Sequence, residues 1–212
     1  MNPYQLRGQP VAKRAFEVAL VGNLRVALIG PLGTSKTTIR EAFPGVESDE
    51  CESCPCGYYL DAAVECTCNE RLIYRWFRRM ARWASGFDIV LESCRVTTRD
   101  MLSQQKPDKQ EDVHMWARVQ AARKFGIKHT STELNDDAAF RTMEMACRRL
   151  SLTTGQYISI LNTARAIANL DGSDLLKAKH VAEAVQYRGD ATIFRLDKLV
   201  YEEKAKKKKG TL

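Results

Sequence analysis

Eight residues carry the clearest chemistry in this sequence: Gly30-Pro31-Leu32-Gly33-Thr34-Ser35-Lys36-Thr37. They fit G-x-x-x-x-G-K-[ST] at every fixed position but one, where Ser35 replaces the second glycine. In such a loop, backbone N–H groups and the N-terminus of the following helix converge on phosphate oxygens. Gly30, Gly33, Thr34, Ser35, Lys36 and Thr37 are therefore candidate phosphate contacts. Lys36 would reach the β and γ phosphates, and the Thr37 hydroxyl would ligate Mg²⁺, so the expected ligand is ATP with Mg²⁺. Ser35 is an expected weakness, because a side chain resists both positive φ and close approach of a ligand. The competing reading is a strand–turn–helix that once bound nucleotide and now does so poorly.

A second set of chemistry-bearing residues is sulfur. Five of the seven cysteines fall between Cys51 and Cys68. Cys54-x-Cys56, nine residues, then Cys66-x-Cys68 offers four thiolates from two tight pairs, a donor set suited to structural Zn²⁺. Gly57 supports a turn after the first pair, and Cys51 offers an alternative C-x₂-C with Cys54. The alternative is a reduced loop without metal. Cys94 and Cys147 stand apart and read as small buried hydrophobes. Neither pair has the C-x-x-C spacing of a redox motif.

Other candidates are weaker. Arg71–Trp83 holds five arginines among four aromatics, a composition able to grip phosphates and stack on bases. Its plainer reading is an amphipathic helix that buries Ile73, Phe77 and Met80 and leaves its arginines in water. His114, His129 and His180 are isolated and read as surface or internally satisfied histidines. No nucleophile–His–carboxylate cluster suggests hydrolase chemistry.

The elements that must position these groups follow from periodicity. Residues 9–21 predict a helix with Val11, Ala15, Phe16, Val18 and Ala19 on its apolar face and Lys13, Arg14 and Glu17 on its polar side. Leu24–Ile29 reads as a buried parallel strand ending at the loop, with a helix from Lys36 to Ala42 stopped by Phe43-Pro44-Gly45. Residues 46–70 show no periodicity. Arg71–Ala84 reads as a helix, Phe87–Leu91 as a strand, and Arg99–Pro107 as a loop. Helices are predicted over 111–125, 136–150, 154–169 and 177–187; in the third, Tyr157, Ile160, Leu161, Ala164, Ile167 and Ala168 share a face. Two strands are convincing, so the α/β part looks short for an open parallel sheet.

Composition sets the frame. With 212 residues, 44% of them hydrophobic, the chain can bury one good core or two small ones. No apolar run approaches the ~20 residues of a membrane span. The N-terminus does not read as a signal peptide, so a cytoplasmic protein with reduced thiols and no membrane partner is expected. Net charge is +7, from 33 Lys and Arg against 26 Asp and Glu, which suits an anionic partner. Part of that excess sits in Lys204–Lys209 and reads as a solvated tail.

Three blocks resemble the magnesium-chelatase-like AAA+ ATPases, and within them the ComM/YifB competence-helicase branch. The first is Arg7-Gly8-Gln9 with Ala12-Lys13-Arg14-Ala15, leading through Leu28-Ile29-Gly30-Pro31 into the loop. The second is Cys54-Pro55-Cys56-Gly57-Tyr58-Tyr59 with Cys66-Thr67-Cys68 and Phe87-Asp88-Ile89. The third is Thr163-Ala164-Arg165-Ala166-Ile167-Ala168-Asn169-Leu170-Asp171-Gly172-Ser173, with His180 and Ala182–Arg188. The resemblance implies ring assembly and ATP-driven remodelling of DNA, as in branch migration. It also exposes departures. Only ten residues join Phe43 to Cys54, where the family has most of its sheet, its Walker B acidic pair and sensor 1. Ile89-Val90-Leu91-Glu92 is the nearest imitation of that acidic strand. The arginine-finger position falls on Gly86 and the sensor-2 position on Gly155, with Arg82 out of register. Without these groups hydrolysis should be slight.

The expected fold is thus α/β then α: a truncated phosphate-loop core with a few-stranded parallel sheet, followed by a helical lid. Expected units are 1–50 (phosphate-loop fragment), 51–70 (zinc module), 71–105 (rest of the α/β part), 106–190 (lid) and 191–212 (basic tail). Expected partners are nucleotide, DNA, and a homo-oligomer or a ring with an intact relative. The alternative to an ATP-binding protein is a non-enzymatic remnant, a zinc-stapled helical interaction module with a vestigial loop.

Overall fold

The computed structural model describes residues 9–102 and 109–188. The basic tail and the Arg7-Gly8 pair of the first block lie outside those residues. Pro10–Gly22 forms α1, with Pro10 at its first turn, where a missing N–H costs nothing, and Asn23 closing it in the left-handed region. Val26–Gly30 is β1, Lys36–Ala42 is α2 and Ser48–Glu52 is β2. Glu70–Ala84 is α3 and Ile89–Glu92 is β3. Thr98–Leu102 is α4, followed by the helices Lys109–Gly126 (α5), Asp137–Leu150 (α6), Thr154–Leu170 (α7) and Ala178–Gln186 (α8).

The sheet has three parallel strands in the order β2-β1-β3. The central strand β1 is buried along its whole length. Its alternating side chains serve two faces. Ala27 and Ile29 pack with Val90 against Phe77, Met80 and Ala84 of α3. Val26 and Leu28 face Ile39 and Ala42 of α2 and Phe16 of α1, in a core that continues into Val119, Met143, Ile160, Ile167 and Val181 of the helical part. The α/β part and the helices therefore share one apolar interior.

Two segments read as irregular are ordered. β2 went unread because Ser-Asp-Glu-Cys-Glu lacks the apolar run of a buried strand. It survives as an edge strand by pairing with β1 and by two indole contacts from α3. Trp76 Nε1 donates to the Glu52 carbonyl at 3.0 Å, and Trp83 Nε1 donates to Asp49 Oδ2 at 3.2 Å. α4 occupies the start of the stretch expected to be a loop. Its signal is the cap at Thr97, whose Oγ1 accepts from the Asp100 N–H at 3.1 Å and donates to Asp100 Oδ2 at 2.7 Å. Residues 103–108 of that expected loop lie outside the described residues.

Single residues also differ from expectation. Val11 is exposed, whereas Glu17 is buried, held by Arg14 at 3.4 Å and by Arg118 of α5 at 2.8 Å. A buried carboxylate is tolerable only with such partners. Cys94 is exposed rather than buried, and Cys147 is half-buried against the core. Ile73 is partly covered, Phe77 and Met80 are buried, and Arg71, Arg75, Arg78, Arg79 and Arg82 are exposed, as in the plainer reading of that helix.

The third block is a structural staple. Arg165, buried on α7, donates to Asn169 Oδ1 (2.9 Å), the Asp174 carbonyl (2.8 Å) and the Ser173 carbonyl, closing the turn after the helix. Arg188, also buried, donates to the Phe87 carbonyl at 2.7 Å, while the Val90 N–H donates to the Tyr187 carbonyl at 2.8 Å. These bonds fasten the end of α8 to β3. His180 is fully buried; its Nδ1 accepts from the Lys177 N–H at 3.1 Å and its Nε2 faces Asp171 Oδ2 at 3.3 Å.

Burial pushes the His180 pKa below its ordinary 6.5, against the pull of Asp171. A base whose folded pKa is depressed contributes stability above its unfolded pKa and loses it as pH falls. Urea unfolding should therefore show stability declining as pH drops below about 6.5. In His180→Asn, which keeps an acceptor for the Lys177 N–H, that decline between pH 7 and pH 5 should flatten.

Candidate phosphate-loop site and metal centre

The loop from Gly30 to Ser35 leaves the carboxyl end of β1 and opens α2. Its shape is fixed from three sides. The Ser93 N–H donates to the Ile29 carbonyl at 2.7 Å, and Ser93 Oγ donates to the Thr34 carbonyl at 2.8 Å. The Ser53 N–H donates to the Gly30 carbonyl at 3.1 Å. Thr34 Oγ1 donates to the Pro31 carbonyl at 2.8 Å. Glycine at position 30 is a steric requirement, since a Cβ there would lie 2.3 Å from the Ser93 carbonyl oxygen.

Lys36 is only 6% exposed. Its Nζ donates to the carbonyls of Gly30 (3.0 Å) and Pro31 (2.8 Å), so the ammonium sits inside the curl of the loop. Burial lowers its pKa, opposed by the nearby carboxylates of Glu52 and Glu50. Thr37 Oγ1 donates to Glu50 Oε1 at 2.9 Å. Gly33 has φ +77°, and a methyl group there would touch Arg95 Nη1 at 3.4 Å. Arg95 Nε in turn donates to Asp61 Oδ2 at 2.7 Å.

Ser35 does not resist the left-handed region; it occupies it, at φ 61° and ψ 24°. It makes no side-chain capping bond there, so its own side chain does not offset the conformational cost of roughly 1–2 kcal/mol for a non-glycine residue. The signature glycine is absent, but the backbone has kept the shape glycine would give it.

The four cysteines of the two tight pairs converge. The Sγ atoms of Cys54, Cys56, Cys66 and Cys68 all lie within 4.8 Å of one another. Cys54 Sγ is 3.3 Å from Cys56 Sγ and 3.7 Å from Cys66 Sγ, and Cys56 Sγ is 3.5 Å from Cys66 Sγ. Zinc–thiolate bonds of about 2.3 Å in a tetrahedron put sulfurs roughly 3.8 Å apart, so the donor set fits Zn²⁺. The Tyr59 N–H donates to Cys54 Sγ at 3.2 Å, the kind of outer contact that orients a metal ligand. Burial opposes ionisation of Cys56. The Tyr58 N–H, the Cys54 thiol and the Thr67 N–H outweigh it and bring its pKa down to about 5. Cys51 is not in the cluster; it packs on the α3 face of the sheet.

Cluster and loop touch. The Leu32 N–H donates to the Gly57 carbonyl at 2.8 Å, and a Cβ on Gly57 (φ +84°) would run into Leu32 at 2.5 Å. Sequence reasoning found the loop and the cysteines but missed Glu50, Glu52, Ser53, Ser93 and Arg95, which surround the loop. The Glu92 imitation of an acidic strand lies elsewhere. In register with Ile29, it faces the α3 side of the sheet, opposite the face that α2 covers.

Replacing Ser35 with glycine should stabilise the protein by about 0.5–1 kcal/mol, the relieved strain exceeding the entropy that glycine adds to the unfolded chain. Urea midpoints of wild type and Ser35→Gly would measure this; an unchanged or lower midpoint contradicts it.

Comparison with known proteins bears on these features. A family model described as Magnesium chelatase, subunit ChlI, matches residues 4–52, which include α1, β1, the loop, α2 and β2. A second, described as Magnesium chelatase, subunit ChlI C-terminal, matches residues 109–188, from α5 to Arg188. A search of curated proteins returned no match. The two models together match more than half of the chain, on both sides of the cysteine cluster. They meet a parallel sheet with a phosphate loop at one end and a helical unit stapled to β3 at the other. The chain belongs to the magnesium-chelatase-like family.

Proposed function

We propose that this is an ATP- and Mg²⁺-binding protein of the AAA+ type, related to the ComM-like helicases that remodel DNA, with weak or no hydrolysis. The observation that carries the reading is the loop itself. A parallel strand ends at Gly30, the chain curls around Lys36, and α2 begins with Lys36 and Thr37 in place. Gly30, Gly33, Thr34, Ser35, Lys36 and Thr37 would line the phosphates, and Mg²⁺ would join at Thr37. Slow turnover follows from Gly86 and Gly155, which bring no cation where the resemblance implies transition-state arginines. On this reading residues 1–50 and 71–105 form the nucleotide-binding part, 51–70 a zinc module, 106–190 the lid and 191–212 a basic tail. The protein is cytoplasmic and joins a ring, with itself or with an intact relative. No helix among the described residues is long and apolar enough to cross a membrane. The exposed arginines of α3 supply a basic face for DNA.

The second reading, a zinc-stapled interaction module, draws on the four convergent thiols and needs no nucleotide. Isothermal titration separates the two. ATP should bind wild type and lose at least about tenfold in affinity in Lys36→Ala. Equal, negligible affinity in both leaves only the interaction module.

Metal analysis of purified protein should find about one zinc per chain, falling below about a tenth in Cys54→Ser. Because the Gly57 carbonyl holds the Leu32 N–H, stripping zinc should also weaken ATP binding. Zinc loss with unchanged ATP affinity would show that the two sites are independent.

A further inference from the structure

The acidic strand that the family resemblance implies has no counterpart between Phe43 and Cys54, yet a carboxylate stands beside the Thr37 hydroxyl. In the register of β2 on β1, Ser48, Glu50 and Glu52 lie opposite Val26, Leu28 and Gly30. They therefore share the sheet face covered by α2, while Asp49 and Cys51 turn to α3. Glu50 reaches the first turn of α2: its Oε1 accepts the Thr37 hydroxyl at 2.9 Å. Its other oxygen, Oε2, is buried without a hydrogen bond and makes only a long ion pair, 3.9 Å, with Arg40 Nη1; Arg40 Nε is likewise buried without a hydrogen bond.

A buried carboxylate oxygen without a hydrogen bond is costly, and in native proteins it calls for an explanation. A cation supplies one. Mg²⁺ takes near-octahedral oxygen ligands and is commonly held by one or two carboxylates together with substrate phosphates and waters. By donating its hydrogen bond to Glu50, Thr37 turns its oxygen lone pairs away from the carboxylate, free for a metal. The donors present, one hydroxyl and one carboxylate whose second oxygen has no hydrogen bond, are of the class Mg²⁺ selects.

We infer that Glu50, on the short edge strand β2, holds the Mg²⁺ that accompanies a nucleoside diphosphate or triphosphate at Thr37. Glu52, one turn of the pleat further on, lies within electrostatic reach of Lys36 and balances its buried charge when the loop is free of ligand. Glu92, on the opposite face, takes no part. This inference rests on the nucleotide reading and adds to it the residue that makes binding Mg²⁺-dependent.

The test uses the zinc-loaded full chain and ADP, with and without added Mg²⁺ and with no chelator present. Titration calorimetry reads ADP affinity, and the electron paramagnetic resonance signal of free Mn²⁺ reads metal retention in the presence of ADP. In wild type, Mg²⁺ should tighten ADP binding. Glu50→Gln should lose that tightening and weaken Mn²⁺ retention by about 10- to 100-fold, with ADP affinity in the absence of Mg²⁺ kept. Glu50→Asp should recover part of it, and Glu92→Gln should behave as wild type. Full Mg²⁺ dependence in Glu50→Gln, or its loss in Glu92→Gln, overturns the assignment while leaving nucleotide binding intact. Wild type that binds no ADP in either condition overturns both.

Discussion

The close approach at Gly30 is the constraint on which the rest of the site depends. Here the chain leaves the central strand with the Ser93 carbonyl pressed against its Cα, so that no side chain fits. The Gly30 carbonyl accepts both the Ser53 N–H and the Lys36 ammonium. One residue thereby joins the ends of all three strands: Ser53 follows β2, Ser93 follows β3, and Lys36 opens α2. A three-stranded sheet is small for independent stability, and this junction shows how it is kept in register at the end that carries the loop.

The sheet also borrows stability from outside itself. Its α2 face is continuous with the core of the helical part; Arg188 donates to the Phe87 carbonyl just before β3, and the Tyr187 carbonyl accepts from Val90 of β3. Its other face is closed by α3, whose indoles fasten the acidic edge strand. Six of the seven exposed residues of α3 are arginine or leucine, the composition of a helix with one face buried and the other in water. The cysteine cluster adds a third brace, since Gly57 grips Leu32 at the tip of the loop. Each brace compensates for the brevity of the segment between α2 and the cysteines.

Several features were legible from residue types alone. The loop, the flanking strand and helix, the cysteine quartet and the four long helices all follow local rules: a phosphate-loop pattern, an apolar run, paired thiols and a helical period. α2 spans Lys36–Ala42 as its start and stop signals predict. The Thr153–Gln156 capping box that starts α7 went unread, although its Thr-x-x-Gln pattern is local. β2 was illegible because an edge strand need not be apolar; its existence depends on partners distant in sequence.

By itself, then, the sequence determined which groups could do chemistry: a lysine and threonine at a helix start, and four thiols in two pairs. The fold decided which further groups join them. Glu50 meets Thr37 only because β2 pairs with β1 in one particular register, and a shift of a single residue would turn its side chain to α3. Glu92, at the end of the nearest imitation of an acidic strand in the sequence, is sent to the far face by the same alternation. Ser35 shows the converse. Its side chain argues against positive φ, but the hydrogen bonds and close contacts around the loop impose that conformation, because together they outweigh roughly 1–2 kcal/mol of local strain.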